Sequence, residues 1–73
     1  MQLPGTTLLV IDDDDNARQL IAGFLEKNGY DVLQAKQALP GLELFSKHRP
    51  ELLLCDLHCA DMPGVELIRQ ILE

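Results

Sequence analysis

The sequence predicts an open α/β domain built on a parallel β-sheet, with its elements in the order βαβαβα. Two apolar runs carry the prediction. Thr7-Leu8-Leu9-Val10-Ile11 and Glu51-Leu52-Leu53-Leu54-Cys55 are almost continuously hydrophobic, and each ends abruptly in aspartate. Such runs read as strands covered on both faces, the way parallel strands are buried. The third observation is the switch to helical spacing after each strand. Strands alternating with helices require parallel pairing through right-handed crossovers.

The elements follow in order. After a short Pro4-Gly5 lead, Thr7 to Ile11 forms the first strand. Ala17, Leu20, Ile21, Phe24 and Leu25 then recur at helical spacing, which predicts a helix from Asp14 to Asn28. Asp14 or Asp15 can cap its start, and Gly29 is placed to end it. A short second strand runs from Asp31 to Ala35. Leu39, Leu42 and Phe45 make the apolar stripe of a second helix, with Pro40 in its first turn and Pro50 closing the segment. Gly41 inside that helix reads as a weak spot. The third strand, Glu51 to Asp56, repeats the design of the first. Beyond a loop holding Pro63 and Gly64, Val65, Ile68 and Leu72, with their neighbours Leu67 and Ile71, start a third helix that runs to Glu73.

Composition narrows the function classes. A chain of 73 residues, 47% hydrophobic, holds one domain at most. A chain this short buries only about 60% of its unfolded surface and is marginally stable without help. The net charge of −6 argues against binding nucleic-acid phosphate. Cys55 and Cys59, four apart and partly inside an apolar run, do not form a secreted disulfide framework and suit a reducing compartment. The N-terminus lacks the basic region and apolar core of a signal peptide. No apolar stretch approaches the roughly 20 residues of a membrane helix. The expectation is a soluble, cytoplasmic protein without membrane contact.

The chemistry sits where the two apolar strands end. In a parallel sheet all C-terminal strand ends share one edge, so Asp12, Asp13 and Asp56 converge there if their strands are neighbours. Crowded carboxylates resist joint ionisation unless a cation joins them. An oxygen-lined, water-open pocket suits Mg²⁺, which keeps several waters and takes one or two carboxylates. One aspartate can then attack a phosphoryl group whose charge the ion offsets. Asp14 and Asp15 read as cap and surface acids. An EF-hand loop starting at Asp12 fails, because Ala17 and Gly23 stand where the motif wants glycine and glutamate. A zinc site from Cys55, His58 and Cys59 lacks a second ligand pair, and Cys55 reads as a small buried residue pointing away from the side of Asp56. His48 reads as a favourable charge near a helix end.

The motifs resemble those of response-regulator receiver domains. Leu8-Leu9-Val10-Ile11-Asp12-Asp13 is similar to that family's opening acidic pair, and Leu52-Leu53-Leu54-Cys55-Asp56-Leu57 to its phospho-acceptor strand. Gly29-Tyr30-Asp31-Val32 and the run from Asp61 to Arg69 fit the same template. The resemblance implies a flavodoxin-like, doubly wound fold with strand order 2-1-3-4-5. It also implies that Asp56 takes a phosphoryl group from a histidine kinase or phosphotransfer protein to switch an output domain or downstream partner. By the same pattern Asp13 and Asp56 ligate Mg²⁺, Asp12 assists, and the backbone carbonyl of His58 completes the protein ligands. The result is a signalling domain that catalyses its own phosphorylation, not a turnover enzyme.

The chain departs from the pattern in two places. Cys59-Ala60 stands where the family places Met-Pro, and Pro63 where it places an acid or amide before the glycine. These changes bear on the loop and on the phosphate's lifetime, not on the acid triad. The resemblance also makes residues 1–73 a partial domain, lacking the later strands that bring a switch Ser/Thr and a Lys. On that expectation the third strand has an unpaired edge and the Leu20-Phe24 face lacks a covering helix, so either self-association through these surfaces or a longer parent chain follows. Two other functions compete: a phosphate-independent pseudo-receiver, mildly favoured by the altered loop, and a haloacid-dehalogenase-type Mg²⁺ phosphatase. The latter matches at Asp12 and Asp14 but needs a cap, a lysine and a further acid motif.

Overall fold

The computed structural model describes residues 5–56 and 61–72. Among the described residues three parallel strands lie in the order β2-β1-β3, with β1 at Thr7–Ile11, β2 at Asp31–Ala35 and β3 at Leu52–Cys55. The connections are α1 (Asp15–Lys27) and α2 (Ala38–His48), and α3 (Gly64–Leu72) follows β3. The expected alternation holds throughout, and the strand bounds move by no more than a residue.

The central strand β1 is the buried one. Leu8 and Val10 point to one face of the sheet and Leu9 and Ile11 to the other, and all four are buried. Leu9 and Ile11 form a core with Ala35, Ala38 and Leu67, against which Leu53 and Cys55 pack from β3. Cys55 thus lies on the apolar side, as its alternation with Asp56 requires. Burial there raises its thiol pKa, and the Asp56 charge adds to the effect.

Local signals set the helix ends. Asp14 is the N-cap of α1, its Oδ1 accepting from the N–H groups of Asn16 at 3.0 Å and Ala17 at 3.2 Å. Gly29, at φ 93°, ends that helix. Its N–H donates to Glu26 and that of Tyr30 to Leu25, the paired bonds that satisfy a helix's last carbonyls when the next residue turns left-handed.

The faces of α2 and α3 differ from the sequence expectation, whereas α1 exposes its Leu20-Phe24 face as expected. In α1 the buried residue is Ala22, while Leu20 and Phe24 are 77% and 67% exposed. In α2 the core takes Ala38 and Gly41 and leaves Leu39 outside. In α3 Gly64 and Leu67 are buried, whereas Val65, Ile68 and Leu72 are exposed. Nor is β3 covered on both faces. Leu52 and Leu54, on the side of Leu8 and Val10, are 48% and 45% exposed, because β3 is an edge among the described strands. The expected bare strand and bare Leu20-Phe24 face are therefore both present.

Gly41 is a contact requirement and not a weak spot. A Cβ there would lie 2.4 Å from Cδ1 and 2.9 Å from Cγ1 of Ile11. Ile11 is fully enclosed and has little room to yield. Alanine would gain up to about 1 kcal/mol in helix propensity, but overpacking a filled core costs about 1–3 kcal/mol. Gly41→Ala should therefore lower stability, read as a reduced midpoint in urea; a raised midpoint would show that the helix lifts off the sheet without cost.

The start of α2 is capped from far along the chain. Its N-cap Gln37 makes no side-chain cap bond. Instead Asp61 accepts from the Ala38 and Leu39 N–H groups, each at 2.8 Å. The Leu39 amide bond does most to hold the Asp61 carboxyl below its ordinary value of 3.8. A lowered folded pKa means stabilisation that is complete above that value and lost as the pH falls through the folded pKa. The stability advantage of wild type over Asp61→Asn should be constant at neutral pH and shrink below about pH 3.8. Acid melting curves of the two proteins check this; a pH-independent difference would remove the carboxylate from the explanation.

Candidate metal and phosphoryl site

The site forms because the hydrogen-bond ladder continues one residue past each strand. The Asp12 N–H donates to the Ala35 carbonyl at 3.1 Å, and the Asp56 N–H to the Ile11 carbonyl at 2.9 Å. Both aspartates are thereby fixed at the C-terminal edge of the sheet, on adjacent strands, and Asp13 follows at the mouth. One carboxylate oxygen each from Asp12, Asp13 and Asp56 lies within 4.8 Å of the others. The expected convergence is present. Asp13 is exposed and the other two are half-buried.

These carboxylates line a cleft of about 570 Å³ whose walls include Ala17, Ile21 and Leu54. Asp12 is further organised by the Asp14 N–H, which donates to its Oδ1 at 3.0 Å. Asp14 also borders the cleft, but its carboxylate is engaged in capping α1. Asp15 pairs with Arg18 at 2.9 Å and Lys36 at 3.6 Å, and the Arg18 hydrogen bond does most to lower its pKa. The assignment of Asp14 and Asp15 as cap and surface acids thus agrees with their contacts. The expected His58 carbonyl ligand lies outside the described residues, as does Cys59.

Arg18 was not among the residues singled out by sequence. Its guanidinium reaches the Asp12 carbonyl at 3.0 Å and the Gln34 side-chain oxygen at 3.1 Å. The signal that could have found it is a cation one turn into α1, inside an otherwise acidic segment.

The donor set fits a hard cation: three carboxylates, with one oxygen from each gathered in a cleft open to water. Mg²⁺ prefers such oxygen ligands and retains part of its hydration shell. An open parallel α/β sheet with an acidic cluster at its strand ends is the arrangement that the resemblance to receiver domains implies. The comparisons agree. Residues 8–73 match the family model described as response regulator receiver domain. The sporulation initiation phosphotransferase F of Bacillus subtilis is 33% identical over 64 residues, covering 88% of this chain and 52% of that protein. The phosphate regulon transcriptional regulatory protein PhoB of Pseudomonas aeruginosa is 33% identical over 67 residues, covering 92% of this chain and 29% of that protein. The chemotaxis response regulator CheY4 of Vibrio cholerae superposes with a TM-score of 0.88 at 26% identity, over 90% of this chain and 55% of that one.

The chain belongs to the response regulator receiver domain family. It spans about half the length of the first curated relatives it matches. Among the described residues, no helix is long and apolar enough to cross a membrane.

Proposed function

We propose that this chain carries the phosphoryl-accepting aspartate and acidic metal ligands of a two-component response regulator. The observation that carries the reading is the meeting of Asp12, Asp13 and Asp56 at the ends of two adjacent strands. In this reading Asp56 is the acceptor. A carboxylate oxygen of Asp56 attacks phosphorus, the P–N bond of a phosphohistidine donor breaks, and the histidine nitrogen leaves with the electron pair. Asp13 and Asp56 would hold Mg²⁺ with Asp12 assisting, and the His58 carbonyl, which lies outside the described residues, would be the remaining protein ligand. The ion, when bound, offsets charge on the transferring phosphoryl oxygens.

The donor is a histidine kinase or phosphotransfer protein, and the recipient of the signal is an output domain or downstream protein. The domain catalyses its own phosphorylation and does not turn over a substrate. The setting is cytoplasmic. Incubation with acetyl phosphate and Mg²⁺ tests the reading, with one added phosphoryl group per chain expected by intact-mass measurement. A wild-type chain that gains none would be a phosphate-independent interaction module.

A further inference from the structure

We propose that Arg18 is a positioning residue of the acidic site, acting through the peptide plane that joins Asp12 to Asp13. The inference rests on the metal-site reading above and extends it to a residue that bears no ligand atom.

The Arg18 side chain is only 11% exposed, although it is charged and stands on a helix flank. A guanidinium is withdrawn from water in this way only where fixed acceptors replace its hydration. Three are present. Nη1 donates to the Asp12 carbonyl at 3.0 Å and pairs with an Asp15 oxygen at 2.9 Å, and Nε donates to Gln34 Oε1 at 3.1 Å. These acceptors belong to the end of β1, the first turn of α1 and β2. Arg18 therefore ties together the three elements around the bend that carries Asp12 and Asp13.

The bond to the Asp12 carbonyl is the consequential one. That oxygen and the Asp13 nitrogen lie in one rigid peptide plane. On its other side Asp12 is already fixed, since its N–H donates to Ala35. Its carboxylate in turn accepts from the Asp14 N–H. With Arg18 on the carbonyl, the backbone rotations that would swing the two carboxylates apart are restrained. Lysine cannot substitute, because one ammonium lacks the planar fork that serves separated acceptors in fixed directions.

Charge and geometry predict opposite results, which makes the proposal decidable. A cation beside three carboxylates opposes Mg²⁺ by simple repulsion, so its removal should tighten binding if charge alone mattered. If Arg18 acts by position, its removal loosens the ligand set and weakens binding. Replacing groups that orient metal ligands typically lowers affinity by about 10–100-fold.

The experiment uses the full chain, with calorimetric titration of Mg²⁺ into wild type, Arg18→Met and Arg18→Lys, and melting curves as a check on folding. Amide hydrogen exchange at Asp13 and Asp14 is measured in parallel on the metal-free proteins. The expected result is an Mg²⁺ dissociation constant raised about tenfold or more in both variants, with faster exchange at the two amides. Arg18→Lys keeps the charge and so remains decisive if Arg18→Met folds poorly. An unchanged or lower dissociation constant in Arg18→Met overturns the proposal, as does full rescue by Arg18→Lys. Failure of wild type to bind Mg²⁺ sinks the metal-site reading instead. The metal-free exchange still decides the role of Arg18 in that case, and unchanged rates would reject it.

Discussion

Asp56→Asn should carry no phosphoryl label after exposure to acetyl phosphate and Mg²⁺ that labels the wild-type chain. The substitution keeps the side chain's shape and the backbone bond from the Asp56 N–H to the Ile11 carbonyl. The strand end should therefore stay in place. What disappears is the anionic oxygen that attacks phosphorus, and an amide is too weak a nucleophile to replace it. Loss to the detection limit is expected, without a fall in melting temperature. Label persisting in Asp56→Asn would move the acceptor to another residue, with Asp12 and Asp13 the first to examine because an oxygen of each lies in the same cluster.

Asp13→Ala should weaken Mg²⁺ binding by more than about tenfold, since a ligand should matter at least as much as the groups that orient ligands, while Asp14→Ala leaves the affinity nearly unchanged. The two residues are adjacent, equal in charge and both exposed, so composition does not separate them. Their contacts do. An Asp13 oxygen belongs to the cluster with Asp12 and Asp56, whereas the Asp14 carboxylate is engaged by the amides of Asn16 and Ala17. Losing that cap should cost about 1 kcal/mol of stability and little affinity. The pair of substitutions therefore exchanges phenotypes, one losing metal and the other losing stability. Calorimetric titration and denaturant melts of both variants read this directly. Equal losses of affinity at Asp13, Asp14 and Asp15 would mean a diffuse acidic patch instead of an ordered ligand set.

The sequence by itself determined what depends on short-range order. Apolar runs ending in Asp12 and Asp56 located the first and third strands and placed their carboxylates on one edge. Gly29 marked the end of α1 because a positive φ is a local demand that glycine meets without strain. Asp14 was legible as a cap for the same reason, its partners lying two and three residues away. Tertiary structure decided which apolar stripe of each helix meets the sheet. Leu39 in α2, and Val65, Ile68 and Leu72 in α3 have the spacing of a core but lie exposed. Periodicity identifies a face without saying what stands opposite it. The close approach of Gly41 to Ile11 depends on how near α2 sits to β1, which no local pattern encodes. The cap that Asp61 gives to Ala38 and Leu39 spans 23 and 22 residues. Arg18 meets Gln34 across 16. Contacts of this kind exist only once the chain has closed on itself, because a residue's nearest partners are then set by the packing of elements and not by their order.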